Sequence, residues 1–327
     1  MMNFFKYCCL LIILLSLTNC KKNPPSPDTV LFDLTDSCDG IFVPVPTNQF
    51  PHFIFSNNYI DWLHINPNNP SEFFYKGRDG MFNTKLYRLD RNTLTTKVLL
   101  DTITKSGNPQ VNNTGHILFY NEENYHLWTI NSNGDSLTKI IRAGWNCFWN
   151  FSGDKIMCTE ADSITHKGTN IVFDINNKKR DTLAFSIQYW FDWQNEDNLL
   201  LSTSNYEPPI GFRINNITNK TSFTIPYLPY ITKYGVYHLC WISKTEFVYS
   251  NDGYLKVFNL SSNLHTKLLK LCKNTDIQSV SYSYKTNEVF VLLKKLENIE
   301  NSDATFVSTP KIIVINLNTR LLSVINL

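Results

Sequence analysis

Leu127-Trp-Thr-Ile-Asn131 is one of six copies of a short β-prone run that stops at Asp or Asn. The others are Leu86-Tyr-Arg-Leu-Asp90, Val172-Phe-Asp-Ile-Asn176, Gly211-Phe-Arg-Ile-Asn215, Leu255-Lys-Val-Phe-Asn259 and Ile312-Ile-Val-Ile-Asn316. A polar turn and a second β-prone run usually follow. Recurrence every 40 to 50 residues or so means stacked units, and four strands per unit predict a propeller. The fold class expected is therefore all-β: six blades of four antiparallel strands over residues 59–327. No long stretch has helical periodicity, which argues against an α/β fold.

A second element recurs between these copies. It reads Cys147-Phe-Trp149-Asn-Phe-Ser-Gly153-Asp-Lys-Ile-Met-Cys158 in blade 3 and Pro109-Gln-Val111-Asn-Asn-Thr-Gly115-His-Ile-Leu-Phe-Tyr120 in blade 2. Both resemble the Trp-Ser-Pro-Asp-Gly-Lys-x-Ile-Ala-Phe hairpin of TolB-like propellers. Weaker copies start at Trp193, Trp241 and Tyr282, and the first copy, at Ile65, has a longer turn. Taking Ile65, Val111, Trp149, Trp193, Trp241 and Tyr282 as one position, the spacings are 46, 38, 44, 48 and 41. The resemblance implies the architecture alone, because this repeat serves many unrelated roles. It places the large residues that end each first strand as wedges between blades. Leu296 to Pro310 reads as a polar surface loop interrupting blade 6. Residues 41–58 are β-prone but broken by Pro44, Pro46 and Pro51; they would add an edge strand or cover one end of the ring. A seventh, incomplete blade is the alternative.

The N-terminus reads as a separate module. Lys6 precedes an apolar run of about ten residues, Cys8 to Leu17, which is too short to span a bilayer and suits a secretion signal over residues 1–19. The run ends in Leu17-Thr-Asn-Cys20, which resembles the lipobox of bacterial lipoproteins, with Asn19 departing from the usual small residue before the Cys. The resemblance implies lipidation at Cys20 and a membrane partner through that anchor; two or three acyl chains hold stably where one is marginal. Lys21, standing where inner-membrane retention commonly uses Asp, favours the outer membrane, its face left open. Residues 20–40, with three prolines in Lys21 to Asp28, read as a flexible tether.

Composition narrows the function classes. Net charge is +2, or +1 once Lys6 is removed with the signal, so no electrostatic footprint for nucleic acid exists. Glycine is scarce, 12 residues where roughly 23 are typical. Asn is abundant at 39, and is expected to take over many turn positions because it tolerates left-handed backbone and makes Asx-turns. Besides Cys20 the mature chain holds Cys38, Cys147, Cys158, Cys240 and Cys272, an odd number, so at least one thiol stays free within a monomer. Cys147 and Cys158 flank one hairpin and are the candidate disulfide; two buried thiols are the alternative. No Cys/His cluster suggests zinc, and nothing calls for a metal or a cofactor.

No nucleophile elbow, His-Glu-x-x-His, phosphate loop or dinucleotide fingerprint is present. Candidate ligand-binding residues lie where chain enters the first strand of a blade: Tyr59, Asp61, Trp145, Tyr189, Trp190, His238 and Gln278. Aromatics beside amides suit a sugar or a peptide; packing between blades is the other reading. Asp-Ser/Thr followed by an apolar residue, at Thr29, Thr102, Ser136, Ser163 and Thr182, is similar to the acceptor of a general O-glycosylation system in one group of Gram-negative bacteria. The expectation is a monomeric, lipid-anchored, non-enzymatic module presenting a ring face to a protein or glycan partner. The alternatives are a propeller lyase or hydrolase acting on a glycan at the channel mouth, and a structural sensor domain of an envelope complex.

Overall fold

The computed structural model describes residues 30–35, 59–79, 83–101, 109–121, 124–142, 147–161, 168–183, 189–193, 199–204, 211–226, 237–298, 305–307 and 310–326. After β1 (Val30–Asp33), the chain lays down six antiparallel sheets in succession. Blade 1 is β2 (Tyr59–Ile65), β3 (Glu72–Asp79), β4 (Asn83–Asp90) and β5 (Thr96–Leu100). Blade 2 is β6 (Gln110–Val111), β7 (His116–Asn121), β8 (His126–Asn131) and β9 (Thr138–Arg142). Blade 3 is β10 (Phe148–Trp149), β11 (Lys155–Ala161), β12 (Gly168–Asp174) and β13 (Arg180–Thr182). Blade 4 is β14 (Tyr189–Trp193), β15 (Leu199–Ser204), β16 (Gly211–Asn216) and β17 (Thr221–Pro226). Blade 5 is β18 (Tyr237–Trp241), β19 (Glu246–Asn251), β20 (Tyr254–Asn259) and β21 (Leu264–Lys270). Blade 6 is β22 (Thr275–Ser283), β23 (Glu288–Asn298), β25 (Lys311–Asn316) and β26 (Leu321–Asn326), with β24 (Thr305–Val307) paired to the end of β23.

The six sheets form a ring because each buries both faces. Six apolar clusters join them, one for each pair of neighbours. Phe74 and Leu86 of blade 1 pack on Ile117 and Phe119 of blade 2. Phe212 of blade 4 meets Phe247 and Tyr249 of blade 5 edge to face, with centroids 4.8 and 5.0 Å apart. Two-sided burial is why the second and third strands read as unbroken apolar runs, such as Val289-Phe-Val-Leu-Leu293, whose five residues are all fully buried. Trp149, Trp193 and Trp241 sit in these interfaces as the wedges expected, and Tyr282 packs against the interface of blades 5 and 6.

The repeated Asp or Asn has a defined job at the end of each third strand. Its side-chain oxygen accepts backbone N–H groups from the turn that follows. Asp90 takes those of Asn92 and Thr93, Asn131 those of Asn133 and Asp135, and Asp174 those of Asn176 and Asn177. Asn216 takes that of Asn219, Asn259 those of Ser261 and Ser262, and Asn316 those of Asn318 and Thr319. The turn then closes through a residue with left-handed backbone: Leu94, Ser136, Lys178, Lys220, Asn263 and Arg320. Only one of those six is Asn, so asparagine's main turn role here is as the acceptor. In blades 3 and 4 the capping residues are Asp174 and Asn216, not Asn176 and Asn215. The sequence signature slips there because neighbouring polar residues compete for the same reading. Gly211 has a steric duty: a Cβ on it would stand 2.1 Å from the carbonyl oxygen of Ile225 in the next strand.

Among the described residues the ring closes without a shared strand. Blade 6 meets blade 1 through Phe290, Leu292 and Ile312 against Leu63, Ile65 and Phe73. Phe73 and Phe290 pack edge to face at 5.3 Å. Arg91 donates two hydrogen bonds to Glu288, at 2.8 and 3.3 Å, and its guanidinium lies 5.5 Å from the centre of the Phe290 ring.

Two expectations need correction. Residues 20–40 are not tether throughout: β1 pairs in parallel with β21 (Val30 with Lys267, Phe32 with Leu269), Asp33 bridges to Lys270 at 3.0 Å, and Leu34 is buried. Apolar residues alternating in Val30-Leu-Phe-Asp-Leu34 had no neighbour visible in the sequence; the outer edge of blade 5 supplies it. Residues 41–58 lie outside the described residues. Leu296 to Pro310 is not simply a loop, since Leu296–Asn298 and β24 form a hairpin continuing β23. Six propeller sheets are found among the described residues, and no seventh.

Replacing Arg91 with Ala should leave Glu288 buried without its cation and weaken the seam. The expected loss is about 1.5–3 kcal/mol in urea unfolding. A change below a few tenths of a kcal/mol would show that apolar packing closes the ring alone.

Candidate functional site at the propeller axis

The first strands of all six blades surround the axis and enclose a cavity of about 120 Å³. That is room for a few waters rather than for a peptide. One end is stoppered. Phe151 and Tyr284 come from blades 3 and 6, on opposite sides of the ring, and meet edge to face at 5.4 Å. The Tyr284 hydroxyl donates to the Trp241 carbonyl at 3.3 Å, and the Asn113 amide to the Phe151 carbonyl at 3.4 Å.

The ionisable groups around the cavity are engaged with the frame. Asp192 Oδ2 accepts the Trp241 backbone N–H at 2.7 Å, tying blade 4 to blade 5, and also bonds the Cys240 thiol. Burial raises the Asp192 carboxyl to about 6, against the pull of those hydrogen bonds. Burial, then the neighbouring Asp192, pushes the Cys240 thiol well up. His64 stacks on Trp62 at 5.3 Å, and its Nδ1 donates to the Ile65 carbonyl at 2.9 Å. His238 hydrogen-bonds the Ile277 backbone. Burial lowers both imidazoles to about 4, so both are neutral at neutral pH. Among the described residues no three of His, Cys, Asp and Glu gather as metal ligands would. Asn113, Trp149, Trp241 and Ser281 line the cavity and each carries a buried polar atom with no protein partner.

The opposite end is where the first strands enter, and there the backbone is irregular in a regular way. The pairing of first and second strands slips between Ile60 and Trp62, Tyr189 and Phe191, Tyr237 and Leu239, and Ile277 and Ser279. The extra residues are Asp61, Trp190, His238 and Gln278, so four of the seven candidate ligand-binding residues are β-bulges at equivalent places. Such bulges re-aim side chains and favour functional rims. His238 has a φ of 51°, a left-handed backbone uncommon outside Gly and Asn. Gln278 Nε2 donates to Asp276 at 2.8 Å. Tyr59 and Tyr189 begin their strands. Of Tyr59, Asp61, Tyr189 and Trp190 only the strand placement is described, and Trp145 lies outside the described residues. Sequence reading missed Asp192 and His64, which have no motif and matter only because the ring brings them to the axis.

Of the acceptor-like positions, Ser136 is exposed in a turn of blade 2 and Thr182 is exposed on β13. Thr29, Thr102, Ser163 and the lipidation candidate Cys20 fall outside the described residues. Cys147 and Cys158 do face each other, one step beyond the Phe148–Met157 pair, but as hydrogen-bonded free thiols rather than a disulfide. Burial pushes the Cys147 thiol well above its ordinary range. Among the described cysteines Cys272 is disulfide-bonded; Cys38 lies outside the described residues.

These groups give stability a predictable pH dependence. His64 and His238, and away from the axis His265 on β21, which burial also lowers and which hydrogen-bonds the Tyr249 hydroxyl, are depressed from 6.5 to about 4; each contributes stability that is full above pH 6.5 and lost as pH falls through about 4. Asp192, raised from 3.8 to about 6, opposes them: its contribution is full below 3.8 and lost as pH rises through about 6. Urea midpoints should therefore rise between pH 4 and 6.5. Asp192→Asn keeps an acceptor for Trp241 and removes the opposing titration, so its midpoint should gain on the parent between pH 4 and 6. A difference independent of pH would contradict the assignment.

No protein-family model matches the chain, and no curated protein matches it. Solved structures do. TolB from Acinetobacter baumannii is similar with a TM-score of 0.57 at 10% identity, over 80% of this chain and 64% of that one. This chain thus spans less than two thirds of that protein's length. A putative TolB from Agrobacterium tumefaciens gives 0.56 at 6% identity, over 75% and 89%. An oligogalacturonate lyase in complex with manganese gives 0.53 at 10% identity, over 82% and 76%. Likeness at such identities is likeness of fold, and that fold is a TolB-like six-bladed β-propeller.

Proposed function

We propose that this chain is a binding or scaffolding module, anchored in the outer membrane through a lipidated Cys20, that presents the strand-entry face of its ring to a protein or glycan partner. The observation that carries this reading is the set of four equivalent bulges at Asp61, Trp190, His238 and Gln278. The axis itself supports surface binding: it is stoppered by Phe151 and Tyr284, and its acid and imidazoles are spent on backbone groups. The lipobox-like Leu17-Thr-Asn-Cys20 motivates the anchor. The immobilised mature protein should retain a protein or glycan from solubilised envelopes. A Trp190→Ala, Gln278→Ala variant should lose at least roughly tenfold of that retention. Retention of nothing, together with turnover of a sugar polymer, would overturn the reading.

Turnover is the second reading, and Asp192 favours it. A buried carboxyl near pKa 6 at a propeller axis is suited to proton transfer. If the protein cleaves a glycan, Asp192→Asn should abolish the cleavage while leaving the fold intact.

Glycosylation on Ser136 and Thr182 is part of the same proposal. The intact mass of the exported protein should exceed the acylated chain by hexose-sized increments, and Ser136→Ala with Thr182→Ala should remove part of them. A mass accounted for by acyl groups alone would eliminate it.

A further inference from the structure

Outside the axis, an open hollow lies between the outer strands of blades 2 and 3. It has a volume of about 470 Å³. Its floor is apolar, made by Ile141 and Phe173, which are buried in the interface of the two blades. Its walls are cationic: Lys139 and Arg142 on β9, Lys178 in the turn before β13, and Arg180 on β13. Arg180 is bound to Glu160 at 2.7 Å. Among the described residues, Lys139, Arg142 and Lys178 have no carboxylate within ion-pair distance. Three uncompensated cations in one hollow are a strong local excess on a chain whose net charge is only +2.

Among the described residues the two walls are also open sheet edges. β9 and β13 are the last strands of their sheets, and β9 carries a bulge at Ile140. The molecule shows what such an edge accepts, because β1 adds to β21, the equivalent strand of blade 5, as an extended segment. Lysine on an edge strand ordinarily discourages pairing; toward an acidic segment the same charges attract. Blade 2 lies across the ring from blade 5, where the N-terminal arm docks, so the hollow is on the side of the molecule away from the arm.

We propose that this hollow is a docking site for an extended acidic peptide segment of a partner protein. Backbone groups of the segment pair with the free edge of β9, apolar side chains on one side of it rest on Phe173 and Ile141, and carboxylates reach Lys139, Arg142 and Lys178. The site is independent of the ring face, since none of its residues approaches the axis.

The probe is a fluorescent peptide of about ten residues alternating Glu and Val, titrated with the full mature protein at low salt. Binding should be saturable and weaken with added salt. Lys139→Glu combined with Arg142→Glu should weaken it by roughly tenfold or more. Lys220→Glu, at an exposed turn of blade 4, should leave it within about twofold. Circular dichroism and urea midpoints of the variants should match the parent, because all three residues are exposed. Absence of binding at low salt, or binding indifferent to the double charge reversal, would overturn the proposal. So would charge-sensitive binding of a uronic-acid polymer or of phosphatidylglycerol vesicles in place of the peptide. None of these results bears on retention through Trp190 and Gln278, so the two readings fail separately.

Discussion

Six twisted sheets arranged around an axis are stable only if the last one packs against the first, and among the described residues that seam has no strand bridging it. Every other interface joins blades that are also consecutive in sequence, so the connecting chain holds them close. Blades 1 and 6 are separated by the whole domain. What joins them is the packing of Phe290, Leu292 and Ile312 on Leu63, Ile65 and Phe73, edged by the Arg91–Glu288 pair and by the Leu63 amide donating to Ser279 at 3.3 Å. Opening that seam would expose one face of each terminal blade, and with it the burial that makes the remaining interfaces worthwhile. The ring therefore depends on a contact of very long sequence separation, whose loop-closure entropy is offset by apolar area together with the Arg91–Glu288 pair and the Leu63–Ser279 hydrogen bond.

The arrangement around the axis follows from the same geometry. First strands converge where there is little room, so their side chains either wedge between blades or fill the centre. Polar groups caught there have to find partners within the frame. Asp192 does so on the Trp241 amide and His64 on its own neighbour's carbonyl, and burial moves each away from its charged form. The end lined by bulges is different in kind. One extra residue at the same place in four blades interrupts the ladder there, and at His238 it carries the imidazole to the axial cavity and the Ile277 backbone.

Much of the architecture was legible because it repeats. The Asp or Asn ending each third strand is visible in sequence because a turn with one or two inward-pointing N–H groups needs a short side-chain acceptor at that spot, and six turns need it six times. The reading slipped by two residues in blade 3 and one in blade 4, where Asp174-Ile-Asn176 and Asn215-Asn216 offer more than one acceptor. Asp61, Trp190, His238 and Gln278 were legible as polar and aromatic residues entering a strand, but nothing local announces a bulge. Asp192 was not legible: burial at the axis raises its pKa, and its partners there, Trp241 and Cys240, lie some fifty residues away in the chain. The docked N-terminal strand was missed for a similar reason, since its partner β21 lies more than two hundred residues on.

Period, alternation and turn chemistry are local properties, and by themselves they determined that this chain makes six like sheets and where each one turns. Which residues meet at the axis, how the first and last sheets hold one another, which cysteine is oxidised and where unpaired cations gather were decided only in three dimensions. Those outcomes depend on distances between segments far apart in sequence, and a distance of that kind leaves no mark on the residues until the chain has closed on itself.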